Sequence, residues 1–263
     1  MAKSWTKADL YREVAKLRQK YDIDISDEKP VDAFSLANKI CVNPQIKILP
    51  FNTSAICGML YKGEKVTVIG LNARHNAAQQ KNSCLHELLH YEWHDEIDKR
   101  RICKNMADTA NDYVEWQANQ GAAELMMPYM RYIPDFVREL TVPENYRTKQ
   151  DFCFIPHILA AKYAATPLMA EYRINDLMYE IRQYIKGRPL EQLSIISHRE
   201  QTRRAMHPGS FSGMVDSFER VREYFLRHFP PDTAAEREAG GGMQRLERMY
   251  WQKKRTKAIR RDS

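Results

Sequence analysis

Ser83-Cys84-Leu85-His86-Glu87-Leu88-Leu89-His90 contains the pattern H-E-x-x-H. On a helix, His86 and His90 stand one turn apart on one face, so both imidazoles can reach a single metal ion. Glu87 lies about 100° round the helix from His86. There it can sit beside a water held by the metal and take its proton. The spacing points to a metal-dependent hydrolase, with zinc the expected ion. The bland alternative is a helix that carries two surface histidines.

A catalytic zinc usually takes three protein ligands and leaves one position open for water. A downstream histidine in the pattern H-E-x-x-H-x-x-G-x-x-H is excluded, because Trp93 and Glu96 occupy the two diagnostic positions. A carboxylate from a following helix can serve instead. Glu115 is the best candidate, in Glu115-Trp-Gln-Ala118-Asn119-Gln-Gly121-Ala122-Ala123-Glu124. Ala118 and Ala122 share its helical face, and small side chains there let two helices approach closely enough for a ligand bond of about 2 Å. Glu124 and Asp112 are alternatives, and a solvated helix charge is the plain reading of Glu115.

Other residues near the pattern carry less specific expectations. Asn119 can hold a ligand histidine by its second ring nitrogen. His94, one turn past His90, can stabilise an oxyanion or bind substrate, or simply meet the last carbonyls of its helix. Tyr91 and Tyr113 can donate to a tetrahedral intermediate, although tyrosines near a core more often pack. Trp93 and Trp116 read as core or pocket wall. With His86, His90 and Glu115 holding one Zn²⁺ per chain and Glu87 as general base, peptide hydrolysis is the natural chemistry. Mn²⁺ or Fe²⁺ can occupy the same ligands.

Outward from this stretch, the apolar pattern changes period several times. Thr6 to Asp9 forms a capping arrangement for a first helix to about Lys20. Pro30 suits the start of a second. Ile46 and Ile48 alternate as in a strand, and the runs 56–61 and 65–71, split by Lys62-Gly63-Glu64, read as a hairpin. The H-E-x-x-H helix is expected over 77–94, a charged loop over 95–106, and a helix over 108–127 stopped by Pro128. Further helices are expected at 135–140, 151–163, 167–185 and 214–228, with Gly187 ending the third of these. The fold class is α+β: a mostly helical core with a small antiparallel sheet, followed by a helical C-terminal region. The expected divisions are an N-terminal helix and linker at 1–29, the metal-binding core at 30–130, a helical region at 131–229 and a basic extension at 230–263.

Composition agrees with a folded, reducing-compartment protein. Of 263 residues 43% are hydrophobic, enough for a sizeable core. The five cysteines are scattered without any C-x-x-C, so neither a disulfide framework nor a thiolate zinc site is expected. The first 20 residues lack an apolar signal region, and no run is long enough to span a membrane. A cytoplasmic location, with no membrane partner, is expected. Net charge is +7, and the segment 244–263 carries +6 of it, from eight Lys/Arg against two acids. Lys253, Lys254, Arg255, Lys257, Arg260 and Arg261 are therefore candidates for a weak nucleic-acid contact, against the commoner reading of a solvated extension.

Taken together, these blocks resemble the ImmA/IrrE-type metallopeptidases. Cys57-Gly58-Met59-Leu60-Tyr61 followed by Val68-Ile69-Gly70-Leu71-Asn72 is similar to that family's strand pair. Leu85 to His90 is similar to its H-E-L-G-H segment, and Glu115 to Pro128 to its E-x-x-A-N-x-F-A-A-x-L-L-M-P block. The resemblance covers roughly residues 30–185. It implies a zincin-like, gluzincin-type core in which His86, His90 and Glu115 bind zinc and Glu87 is the base. Leu89 stands where the family has glycine, and Gly121 where it has phenylalanine. The resemblance also implies a protein substrate, a helix-turn-helix repressor whose cleavage derepresses phage, mobile-element or stress genes. A helix-turn-helix-like region around Ile158 to Met178 has a counterpart there, and ordinary helix packing is its simpler reading. Two rival functions are a DNA-binding regulator with a vestigial or structural metal site, and a protease-fold component of a toxin–antitoxin pair. A complete ligand set with Glu87 beside it favours the peptidase, since a structural site needs no base.

Overall fold

The computed structural model describes residues 5–24, 29–94, 100–104, 113–141 and 154–204 of the 263. The chain is α+β, and it divides into two compact units: Met1–Pro128 with Ala161–Thr166, and Tyr129–Ala160 with Pro167–Ser263. Among the described residues no helix is long and apolar enough to cross a membrane.

In the first unit, α1 (Lys7–Lys20) opens on the expected capping box. Thr6 Oγ1 accepts from Asp9 N at 3.2 Å, and Asp9 Oδ2 accepts from Thr6 N at 2.9 Å. Leu10, Val14 and Leu17 face the core at helical spacing. The second helix, α2 (Ala33–Ile40), begins after Asp32, whose carboxylate accepts from the amides of Phe34 and Ser35. Pro30, expected to open it, lies just outside, because Asp32 satisfies the free amides of the first turn and so sets the start.

Strands β1 (Pro44–Leu49), β2 (Ile56–Lys62) and β3 (Thr67–Asn72) follow. β2 and β3 form the expected antiparallel hairpin, with Leu60 opposite Ile69. β1 joins the other side of β3 in parallel, with Ile46 opposite Ile69, so the sheet is mixed. The charged segment expected to be a loop contains a fourth strand, β4 (Arg100–Lys104), antiparallel to β2, giving the order β1-β3-β2-β4. Charged residues suit an edge strand, where they discourage pairing with other chains. Thr67, Ile69, Leu71 and Asn72 of the central strand are fully buried.

The turn out of β3 is built on Asn72. Its Nδ2 donates to the carbonyls of Thr53 at 2.8 Å and Ile56 at 2.7 Å, and its Oδ1 accepts from Arg74 N at 2.9 Å. Its own carbonyl accepts from Gln80 Nε2 at 3.0 Å. One side chain thus ties the end of the sheet to the start of α3 (Ala77–Trp93), which carries its own Asn76/Gln79 capping box. α3 packs against α2, β2, β3 and α4 (Tyr113–Met126). Every residue from Ser83 to His90 is buried, which is why this helix lacks a simple polar face. Arg18 of α1 donates to the carbonyls of Glu124 and Leu125 and so covers the end of α4.

In the second unit, α5 (Tyr129–Thr141) is longer than expected and contains Pro134. A proline inside a helix costs about 3 kcal/mol, offset here by complete burial of Tyr132, Ile133, Phe136, Val137 and Leu140. α6 (Ile155–Tyr163), whose last three residues belong to the first unit, and α7 (Pro167–Asp176) are separated by three residues, with Ala164 at φ 49°. The single helix expected over 167–185 is two, α7 and α8 (Met178–Ile185). The break falls at Leu177 after Asn175-Asp176, two residues whose side chains compete with helical backbone bonds. The turn lets Leu177 and Met178 both reach the interior. Gly187, at φ 80°, ends α8 with paired bonds from Gly187 N to Tyr184 O and Arg188 N to Gln183 O. A 3₁₀ turn (Leu190–Gln192) and α9 (His198–Arg203) complete the described chain. The helix expected over 214–228 and the basic segment lie outside the described residues.

Candidate metal centre

α3 and α4 run side by side with small residues between them. Ala118 and Ala122 of α4 are fully buried, and Gly121 has Leu89 and Trp93 of α3 directly against it. This close approach carries Glu115 to the histidine face. Its Oε2 lies 3.1 Å from His86 Nε2, and its Oε1 lies 3.3 Å from His90 Nε2. The two histidine Nε2 atoms are 2.9 Å apart. Among the described residues, His86, His90 and Glu115 form the group able to offer a metal three ligands, one atom from each lying within 4.8 Å of the others. All three are buried.

Two imidazoles and one carboxylate converging at one point match the ligand set of a three-coordinate site with an open position. Burial alone would raise the Glu115 carboxyl. The hydrogen bonds and charges of His86 and His90 overcome it and hold the group well below the usual carboxylate range. Glu115 is therefore an anion, the form in which a carboxylate binds a divalent cation.

Glu87 is fully buried on the same turn of α3. Its carboxylate lies against β2 at Gly58, where an added Cβ would stand 2.7 Å from Glu87 Oε1 and 3.2 Å from the Gly70 carbonyl. A glycine inside a strand often marks such an approach, so the sequence carried this signal. Cys57, next along β2, has its thiol pushed up to about 11, first by burial and then by the charges of Glu87 and Glu115.

His94 joins the cluster from behind: its Nδ1 lies 3.0 Å from His90 Nδ1, and its Nε2 lies 2.9 Å from Gln117 Oε1. The second nitrogen of His90 is thus taken by His94, and Asn119 stands half-buried elsewhere on α4. Gln117 was not expected from its position, two residues past Glu115. Tyr113 is turned to the N-terminal segment, where its hydroxyl accepts from Trp5 N and donates to Trp5 O at 2.7 Å. The Tyr91 hydroxyl accepts from Val42 N at 3.2 Å and braces the entry to β1. Trp93 packs edge-on against Trp5, with ring centroids 5.1 Å apart, and Trp116 stacks on Tyr113. Glu124, the alternative ligand, is buried near the end of α4 and outside the trio, and Asp112 lies outside the described residues. So do Lys253, Lys254, Arg255, Lys257, Arg260 and Arg261.

A helix bearing H-E-x-x-H, packed between a small sheet and a second helix that contributes a glutamate, defines the metallopeptidase class. Residues 41–175, just over half of the chain, match the IrrE N-terminal-like domain, and the protein belongs to this peptidase family. Comparison with curated proteins finds no significant match.

Proposed function

We propose that the chain is a zinc-dependent endopeptidase that cleaves a protein substrate of the helix-turn-helix repressor type. The observation that carries this is the convergence of His86 Nε2, His90 Nε2 and the Glu115 carboxylate at one buried point, on the helix that also bears Glu87. A structural metal site needs no such neighbour.

His86, His90 and Glu115 would hold the ion. Zinc suits two imidazoles and a carboxylate in a four-coordinate site with one open position. When bound, the metal acts as a Lewis acid that lowers the pKa of a water and polarises the scissile carbonyl. Glu87, whose carboxylate lies against Gly58, would take a proton from the attacking water and return it to the leaving amine. The fully buried Leu85, Leu88 and Leu89 keep the helix from rotating and so hold the histidines in register.

The substrate reading rests on family membership. It is tested by co-expression with a candidate helix-turn-helix repressor. The expected result is a fragment with one defined new N-terminus, absent when Glu87→Gln replaces the wild type while metal is retained. Unchanged cleavage by Glu87→Gln would remove Glu87 as the base. An intact repressor beside metal-loaded wild type would remove this substrate class.

A further inference from the structure

Behind the metal cluster, three buried side chains form a line. His90 presents Nε2 to His86 and Glu115. Its Nδ1 meets His94 Nδ1 at 3.0 Å, and His94 Nε2 meets Gln117 Oε1 at 2.9 Å. His90 and Gln117 are each 2% exposed and His94 is 9% exposed, so water is a poor substitute for any of these contacts.

A neutral imidazole carries one N–H and one lone pair. To bind a metal through Nε2, His90 must carry its hydrogen on Nδ1. His94 Nδ1 must then accept that hydrogen, which places the hydrogen of His94 on Nε2. Gln117 must in turn offer an oxygen. The reverse arrangement fails. If Gln117 presented its NH₂, His94 would carry hydrogen on Nδ1 and would force His90 to carry its own on Nε2, pointing into the cluster. The orientation of one amide therefore decides whether a ligand lone pair is available.

We propose that Gln117, acting through His94, is a positioning residue that fixes the metal-binding tautomer of His90. The inference rests on the reading of His86, His90 and Glu115 as a metal site. It assigns Gln117 and His94 to the support of one ligand rather than to contact with substrate. Partners of this kind typically govern metal affinity by 10–100-fold.

The test is metal affinity of the full chain, measured by competition of Zn²⁺ with a chromophoric chelator. Gln117→Leu removes the acceptor and should weaken binding by about 10–100-fold. Gln117→Glu keeps an acceptor oxygen and should stay near wild type. A merely structural role would not sort the two variants by acceptor. Unchanged affinity in Gln117→Leu, or equal losses in both, would overturn the proposal. A second readout needs no variant: nitrogen NMR of the wild type should show a coupling across the N–H···N bond between the two Nδ1 atoms, with the hydrogen on His90. Finding that hydrogen on His94 would contradict the relay. A wild type that bound no metal would instead sink the peptidase reading, and the same coupling in the metal-free protein would still decide the relay.

Discussion

Leu89 on α3 and Gly121 on α4 occupy each other's space: a Cβ placed on Gly121 would lie 2.6 Å from Leu89 Cδ1 and 2.8 Å from the Trp93 ring. These are the two positions at which the chain departs from the pattern it resembles, where glycine precedes the second histidine and phenylalanine lies on the following helix. At this contact the bulk sits on Leu89 and Trp93 of α3, and Gly121 leaves them room on α4.

The contact predicts coupled stabilities. Gly121→Phe alone overpacks the interface and should cost about 1–3 kcal/mol. Leu89→Gly alone empties it, and should cost at least the 2–5 kcal/mol of a buried leucine truncation. The double variant should be more stable than the sum of the two losses, by about 1–3 kcal/mol. Denaturant unfolding of the four proteins measures this, and strict additivity would show that the two residues do not share one volume.

Gly58→Ala tests the wall behind Glu87. The new Cβ would stand 2.7 Å from Glu87 Oε1, so the carboxylate must move. Turnover should fall by about 10²-fold, the cost of roughly 1 Å of misplacement at a reacting group. Metal content should be unchanged, because none of the three ligands touches Gly58 in this way. Loss of metal together with activity would mean that the strand supports the whole cluster.

Asn72→Ala should destabilise the fold. It removes the amide donor from the part-buried carbonyls of Thr53 and Ile56, each now bonded to Asn72. A hydrogen bond of this kind contributes about 0.5–1.5 kcal/mol. Asn72→Asp should be worse, since a carboxylate would face those same carbonyl oxygens. Thermal unfolding compares the two, and a neutral Asn72→Ala would remove the side chain as the tie between sheet and helix.

Cys57 reports on the charges of the site. With its thiol pushed up to about 11, it is protonated at pH 8 and should alkylate more slowly than a free cysteine. Glu87→Gln removes one of the charges that raise it, so the rate should increase. Mass spectrometry after iodoacetamide treatment measures both rates. A rate unchanged by Glu87→Gln would leave burial and the Glu115 charge as the causes.

Much of this arrangement was legible in the chain itself, and for physical reasons. His86 and His90 were readable because i,i+4 spacing alone puts two side chains on one helical face. Glu115 was readable because Ala118 and Ala122 mark the face on which a helix can come close. β4 was not, because Arg100 and Arg101 look like loop residues until an edge place in the sheet explains them. The parallel placement of β1 depends on β3 running between β1 and β2, which no local pattern records. The break at Leu177 follows from burying Leu177 and Met178 together. Gln117 acquires its role only when α4 is laid against α3 and its amide meets His94, a pairing no local pattern records.

A single divalent ion in the cluster of His86, His90 and Glu115 is checked by the metal content of the purified full chain, by elemental analysis, beside Glu115→Gln prepared in the same way. One zinc per wild-type chain is expected, with a large loss in a Glu115→Gln variant whose fold is intact by circular dichroism. A wild type without stoichiometric metal, or a Glu115→Gln chain that retains it fully, would show that these three side chains are not a metal site.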